Sequence, residues 1–255
     1  MSIDRRKFLA IAGGAAAIGI AGRRTLKVLA KNVISKPSAT LAGKRWAMVI
    51  DLKKCRELPG CTKCIQACDY AHNIPDMGNS KDEIKWIWKE KFNHAFVEQE
   101  NYFVPDDVKN NPAILFCNHC DNPPCTNVCP TQATWKREDG VVMMDWHRCI
   151  GCRYCMAACP YGSRSFNWRD PRPHIKQLNP DFPTRERGVV EKCNFCEERL
   201  SRGLLPACVE ACPVKAMTFG NLEDPNSEIR EILNKRFTIR RKPELGTQPE
   251  IYYII

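Results

Sequence analysis

Sixteen of the 255 residues are cysteine, and they fall into four groups of four with none left over. The groups are Cys55, Cys61, Cys64 and Cys68; Cys117, Cys120, Cys125 and Cys129; Cys149, Cys152, Cys155 and Cys159; and Cys193, Cys196, Cys208 and Cys212. Each ends in C-x-x-x-C, and in three of them the last cysteine precedes a proline, Pro130, Pro160 or Pro213. The third group, "CIGCRYCMAACP", is the most regular, with spacings of two, two and three residues. A chain with this internal repeat has to fold around cysteine chemistry, with inserts of variable length between the repeats.

A C-x-x-C-x-x-C loop bends around one small object and turns three thiolates toward it, while a fourth cysteine three residues later begins to point away. In two-cluster bacterial ferredoxins the C-x2-C-x2-C-x3-C-P run gives three ligands to one [4Fe-4S] cluster and its fourth cysteine to the other. Structural zinc prefers two separated C-x-x-C pairs around one ion, which leaves the third close cysteine and the proline without a reason. C-x-x-C spacing is also poor for a disulfide framework. Attached haem needs C-x-x-C-H, and no C-x-x-C here is followed by His. The expected cofactors are therefore four [4Fe-4S] clusters, with no haem and no zinc. His119, inside "CNHC", is expected to exchange hydrogen bonds beside a cluster, since its group already holds four cysteines. No Ser/His/Asp constellation, paired-carboxylate setting, P-loop or dinucleotide fingerprint is present, so no catalytic acid, base or nucleophile is expected.

Asp4-Arg5-Arg6-Lys7-Phe8-Leu9 places twin arginines before an uncharged run from Phe8 to Gly22, short for a bilayer span. Residues 1–30 are expected to be a twin-arginine export signal with Val28-Leu29-Ala30 as its cleavage site, the alternative being an N-terminal helix or membrane anchor. The expected location is the extracytoplasmic face of the cell membrane. Six basic residues and one acidic residue leave with that segment, taking the formal net charge from +10 to +5. The remaining bases form no nucleic-acid arm, and Arg56, Lys63, Arg148, Arg153 and Lys192 lie next to cysteines, with Lys215 three residues past one.

Between the groups, "IKWIWK" and "FVEQENYFV" within residues 72–111 are expected to form an inserted hairpin or pair of strands. Residues 169–189, with four prolines, are expected to be an ordered surface loop or linker. Asp224-Pro225 is expected to cap a short helix over "NSEIREILNKR". The apolar tail "EIYYII" is expected to pack on its own domain or to help dock a partner. Tyr154, Tyr161, Phe195 and Trp168 are expected to shield clusters from water.

Residues 45–220 resemble the four-cluster ferredoxin subunits of membrane-associated respiratory complexes, a group that includes the electron-transfer subunits of dimethyl sulfoxide, polysulfide and nitrite reductases. "CTKCIQACDYAHNIP", "CNHCDNPPCTNVCP", "CIGCRYCMAACPYGSRSFNWRDPRP", "NPDFPTRERGVVEKCNFCEERLSRG" and "PACVEACP" are most similar to the DsrO group, the iron-sulfur subunits of DsrMKJOP complexes. The resemblance implies an α+β fold of two intertwined bacterial-ferredoxin-like modules with two [4Fe-4S] clusters each. Residues 44–71 and 190–220 would form the outer module and 112–168 the inner one, with a 72–111 insertion, a 169–189 linker loop and a 221–255 C-terminal extension. It also implies crossed ligand sets: Cys55, Cys61, Cys64 with Cys212; Cys193, Cys196, Cys208 with Cys68; Cys117, Cys120, Cys125 with Cys159; and Cys149, Cys152, Cys155 with Cys129. Two departures fall in the first group, where Cys55 stands six positions before Cys61 and Cys68 precedes Asp69 rather than proline.

The function so implied is relay of electrons in a hetero-oligomeric membrane complex. Its partners would be an NrfD-like quinone-interacting integral membrane subunit, a multihaem cytochrome c and further Dsr-type subunits, linking menaquinol oxidation to sulfite reduction in sulfate respiration. Two alternatives stand beside it: an electron-transfer subunit of a molybdopterin reductase or dehydrogenase, and an exported zinc or disulfide scaffold.

Overall fold

Just ahead of the first cysteine group, "WAMVID" forms strand β1 (Trp46–Asp51), buried along its whole length. Its apolar side chains serve two faces: Trp46, Met48 and Ile50 enter the main core, while Ala47 and Val49 pack beneath Ile229 and Ile254. A strand covered on both faces has no need of the polar alternation of a half-exposed one. The computed structural model describes residues 45–255, and the export signal expected over residues 1–30 lies outside them.

β1 is the centre of a three-stranded sheet. β8 (Met217–Asn221), just past the last cysteine group, pairs with it antiparallel with Met48 opposite Phe219. The sheet thus closes the cysteine-bearing stretch by joining its two ends. The tail strand β9 (Ile251–Ile254) lies parallel on the other side of β1, with Tyr253 fully buried, so the apolar tail packs on its own fold.

The helix Glu228–Lys235 covers the second face. A Cβ on Gly220 would lie 2.9 Å from the Ile229 side chain, so a larger residue there would lift this helix off the sheet. The capping position is Ser227, which corrects the expectation of Asp224. Asp224 instead accepts the Asn226 N–H at 2.9 Å in a local turn that also contains Pro225, and the Ser227 hydroxyl turns back to the carbonyls of Asn221 and Asp224.

The insertion is half as expected. "IKWIWK" supplies β2 (Ile87–Lys91), but its antiparallel partner is β3 (Pro112–Phe116), not "FVEQENYFV". The intervening residues form short helical turns at Phe92–Ala95, Val97–Gln99 and Asp106–Lys109. Tertiary anchors override the aromatic strand signal here. Phe96 is buried between Phe92 and Tyr253, the Arg241 guanidinium donates to the Ala95 carbonyl at 3.0 Å, and Glu98 accepts the Lys242 N–H at 3.0 Å. Tyr102 and Phe103 remain 90% and 86% exposed, so the second half of the aromatic run makes no core.

Two small antiparallel pairs complete the strands: β4 (Thr134–Lys136) with β5 (Val142–Met144), and β6 (Ser165–Phe166) with β7 (Val190–Glu191). The segment 169–189 leaves β6 and returns to β7 as a largely exposed strap, an ordered surface loop held down by a few buried side chains. Phe182 packs against His72, Trp86 and Trp146. Asn73 and Asn179 exchange side-chain-to-backbone hydrogen bonds of 2.9 and 2.7 Å. Arg185 and Glu191, both fully buried, pair at 2.8 Å, and Arg185 also donates to the carbonyls of His72 and Asn73. The fold is mixed α and β, and one hydrophobic core takes residues from stretches far apart in the chain, including Met48, Trp86, Ile114, Phe195 and Tyr253.

Candidate metal centres

The loop between the first two cysteines of a group is tightened by a residue with left-handed backbone just before the second cysteine. In "CNHC" this is His119 (φ 42°), in "CIGC" Gly151 (φ 70°) and in "CNFC" Phe195 (φ 58°). Such a conformation costs a non-glycine residue on the order of 1 kcal/mol or more, and it persists only where the surroundings enforce it. Gly151 also has a steric reason, since a Cβ there would lie within 2.4 Å of the Gly188 carbonyl.

The proline after the fourth cysteine has a matching role. Past Cys129-Pro130 and Cys212-Pro213 the chain turns through Gln132 (φ 53°) and Lys215 (φ 47°). The next N–H then points back: Ala133 donates to Cys129 Sγ and Ala216 to Cys212 Sγ, each at 3.2 Å. Where Asp69 replaces the proline, the helix Lys63–Ala71 runs on, and His72 Nδ1 approaches Cys68 Sγ at 3.5 Å instead. The longer first spacing is taken up by the helix Leu52–Arg56, capped by the Asp51 carboxylate, and by a turn with Gly60 at φ 74°.

These loops bring the cysteines together across groups. Cys117, Cys120, Cys125 and Cys159 line one cavity, together with Asn118 and Arg164. Cys129, Cys149, Cys152 and Cys155 line another, floored by Ala133, Met144 and Val190. Cys68 lies among Cys193, Cys196 and Cys208, whose charges act on it. Cys55 and Cys64 lie beside each other and beside Cys61 and Cys212. In each assembly three cysteines come from one group and the fourth from another, because the helices Lys63–Ala71 and Ala207–Glu210 pack together and Pro124–Asn127 packs on Tyr154–Ala157.

None of the sixteen cysteines is paired in a disulfide. Burial pushes Cys64 up to about 11 and Cys120 and Cys193 up to about 12, and it drives Cys68 and Cys196 well above the usual thiol range. Cys129 goes the other way: burial works to raise it, but hydrogen bonds from the backbone of Thr134, Thr131 and Ala133 and from the Thr131 hydroxyl hold it below the ordinary value. Thiols raised in this way carry no charge until a metal displaces their protons.

Nearby groups are prepared for anions. Arg164 is buried, and its Nη2 donates to Cys125 Sγ at 3.0 Å. Lys192 is buried, and its ammonium donates only to the carbonyls of Val142 and Cys193. Among the described residues neither makes an ion pair with a carboxylate, and a buried cation without an anion is strongly unfavourable. The Asn118 amide, in the wall of the Cys117 cavity, has no hydrogen-bond partner for either polar atom. Four convergent sulfur donors, buried cations and orphaned donors suit an anionic iron-sulfur group well, and tetrahedral zinc leaves the buried cations unexplained.

His119 is not placed as a ligand. Its Nδ1 accepts the Val142 N–H at 3.1 Å and its ring stacks on Phe195, while burial holds it well below the usual imidazole range and therefore neutral. Of the four expected shielding aromatics, Tyr161 and Phe195 are buried, but Tyr154 and Trp168 are 62% and 45% exposed. Trp168 stacks with Arg153, a residue of the Cys149 cavity wall, and packs edge-on against Phe166. Of the bases beside cysteines only Lys192 is buried. Arg164 carries no spacing signal in the sequence, since it reaches Cys125 Sγ across 39 residues, whereas Asn118, next to Cys117, and His72, four residues past Cys68, are placed locally.

Residues 111–173 and 178–222 match a sequence family described as a 4Fe-4S dicluster domain. The chain is 41% identical, over 98% of its length and 97% of the relative's, to the Hdr-like menaquinol oxidoreductase iron-sulfur subunit 1 of Archaeoglobus fulgidus. It is 38% identical to Protein NrfC of Escherichia coli K12, over its whole length and 96% of that protein. It is also 38% identical, over 82% of its length and 78% of the relative's, to the iron-sulfur subunit of a putative dimethyl sulfoxide reductase of Halobacterium salinarum. With full-length likeness on one side and cysteine cavities suited to iron and sulfide on the other, the chain belongs to the ferredoxin-like iron-sulfur subunits that carry electrons in menaquinol oxidoreductase and related reductase complexes.

Proposed function

We propose that this chain holds four [4Fe-4S] clusters in two interleaved ferredoxin-like modules and relays electrons between a quinone-linked membrane subunit and other redox subunits. The observation that carries this reading is the crossed arrangement of cysteines, three from one group and one from another in each assembly. Cys55, Cys61, Cys64 and Cys212 are the ligands of one cluster, and Cys68, Cys193, Cys196 and Cys208 those of its neighbour. Cys117, Cys120, Cys125 and Cys159 hold the third, and Cys129, Cys149, Cys152 and Cys155 the fourth. The outer module is 44–71 with 190–220, and the inner one is 112–168.

When bound, each cluster supplies a one-electron site. The chain's own residues do the rest. Phe195 and Tyr161 exclude water, the Ala133 and Ala216 N–H groups donate to ligand sulfurs, and Arg164 and Lys192 offset negative charge. No helix of the described residues is long and apolar enough to cross a membrane. Contact with quinone is assigned to an NrfD-like integral membrane partner. A multihaem cytochrome c and Dsr-type subunits complete the complex, which serves sulfite or sulfate metabolism. Residues 1–30 direct export by the twin-arginine route to the extracytoplasmic face. The likeness to a menaquinol oxidoreductase subunit supports the quinone link.

A second reading, as the electron-transfer subunit of a molybdopterin reductase, is supported by the likeness to a dimethyl sulfoxide reductase subunit. Purification of the native complex separates the two. Co-purification with a multihaem cytochrome and an integral membrane subunit is expected. A molybdopterin subunit without a cytochrome would overturn the first reading in favour of the second.

A further inference from the structure

The charge around the cysteine assemblies is uneven. Two buried cations converge on the Cys117 assembly. Arg164, five residues past Cys159, donates to Cys125 Sγ at 3.0 Å and to the Thr134 hydroxyl at 2.8 Å, and it lies close enough to Cys155 and Cys117 for their charges to act on it. Lys192 lies beside Cys117, Cys125 and Cys193, with its Nζ 2.7 Å from the Cys193 carbonyl. The two cations also act on each other, a repulsion tolerable only with negative charge between them. The neighbouring Cys193 assembly has acidic company instead. Asp69 follows Cys68 directly, and the Glu198 carboxylate acts on Cys193 and Cys196 while bonding His72 Nε2 at 3.1 Å.

In a poorly screened interior a fixed cation favours the addition of an electron nearby and a fixed anion opposes it. Lys192 stands at the junction of the two assemblies, so it acts on both, whereas Arg164 acts on the Cys117 and Cys149 sides alone. We propose that Arg164 and Lys192 make the Cys117 assembly the highest-potential electron site of the chain and that the Cys193 assembly beside it, flanked by Asp69 and Glu198, is a low-potential step. The event is uptake of one electron from the reducing side of the complex. The added charge is offset by the two fixed cations, and no bond is made or broken. An electron entering from either end of the chain would then come to rest in the middle, which buffers the relay against uneven supply and demand. Arg164 and Lys192 are positioning residues for charge, not ligands.

This inference rests on the four-cluster reading above, and its test keeps the two apart. The cluster-loaded full chain is titrated with dithionite at controlled potential and followed by electron paramagnetic resonance, with iron content measured in every sample. In the wild type, the signal reduced first is expected to be the one altered by Cys120→Ser. Arg164→Met is expected to shift that signal to lower potential at unchanged iron content, Arg164→Lys to restore it, and Lys192→Met to lower both it and the Cys193-assembly signal. An unmoved first signal in Arg164→Met with full iron would overturn the inference, as would a first signal untouched by Cys120→Ser. Should Arg164→Met lose iron, Lys192→Met and the Cys120→Ser assignment decide the matter. A wild-type chain with too little iron for four clusters would instead refute the four-cluster reading.

Discussion

His119 and Phe195 stack with ring centroids 3.6 Å apart and planes inclined by 16°, although 76 positions separate them in the chain. Each is the left-handed residue between two cysteines of its own group, so the contact locks the second cysteine loop to the fourth. Phe219 packs edge-on against Phe195 and carries the contact into the β1–β8 sheet. The two halves of the repeat are thereby joined through the very residues that shape their loops.

Truncating Phe195 should loosen that junction. Phe195→Ala removes a fully buried ring and is expected to cost about 3–5 kcal/mol. Thermal loss of the visible absorbance of the loaded protein measures it, and a midpoint unchanged from the wild type would count against the junction.

Arg185→Ala would strand a carboxylate. Glu191 is fully buried and also accepts from the Trp86 indole at 3.0 Å, so removal of its cation leaves an uncompensated charge. Destabilisation of about 3–5 kcal/mol is expected in urea unfolding. A replacement of both residues by apolar ones of similar volume should recover much of the loss, which a double-mutant comparison would read.

Cys68→Ala should act at a distance in sequence. The helix Lys63–Ala71 delivers Cys68 to Cys193, Cys196 and Cys208, while Cys64 on the same helix faces Cys55 and Cys212. Loss or conversion of the cluster led by Cys193 is expected, with the one led by Cys61 spared. Resonance signals of the variant showing the reverse would refute the crossed ligand sets.

Gly151→Ala forces a Cβ against the Gly188 carbonyl and demands a left-handed backbone from alanine. The loop carrying Cys149 and Cys152 has to shift, so the variant is expected to lose about a quarter of the chain's iron, the share of one cluster in four. Gly78→Ala, where the same backbone meets open space, is the control and should keep full iron.

Ligand chemistry was readable from the sequence because it is local. Three cysteines within seven residues, as in Cys149 to Cys155, need only a tight loop to converge, and the spacing states it. Lys192 shows in the sequence as a base beside Cys193, but its burial, the Arg164 contact and the clamps around the clusters were not readable. Arg164 meets Cys125 across 39 residues and Lys192 meets the Val142 carbonyl across 50, distances at which no spacing rule applies. "FVEQENYFV" has the aromatic content of a strand, yet Phe96 is worth more in the core than in a ladder, and the chain turns helical to put it there. The 169–189 strap carries prolines and charges like a linker, but the buried pair of Arg185 and Glu191 fixes it.

The central claim is that four sulfur-lined assemblies each hold one [4Fe-4S] cluster. Iron, zinc and acid-labile sulfide per chain, determined on anaerobically purified full-length protein, test it most directly. About sixteen iron and about sixteen sulfide per chain, without stoichiometric zinc, are expected. Zinc in place of iron, an absence of labile sulfide, or iron sufficient for only two clusters would contradict it.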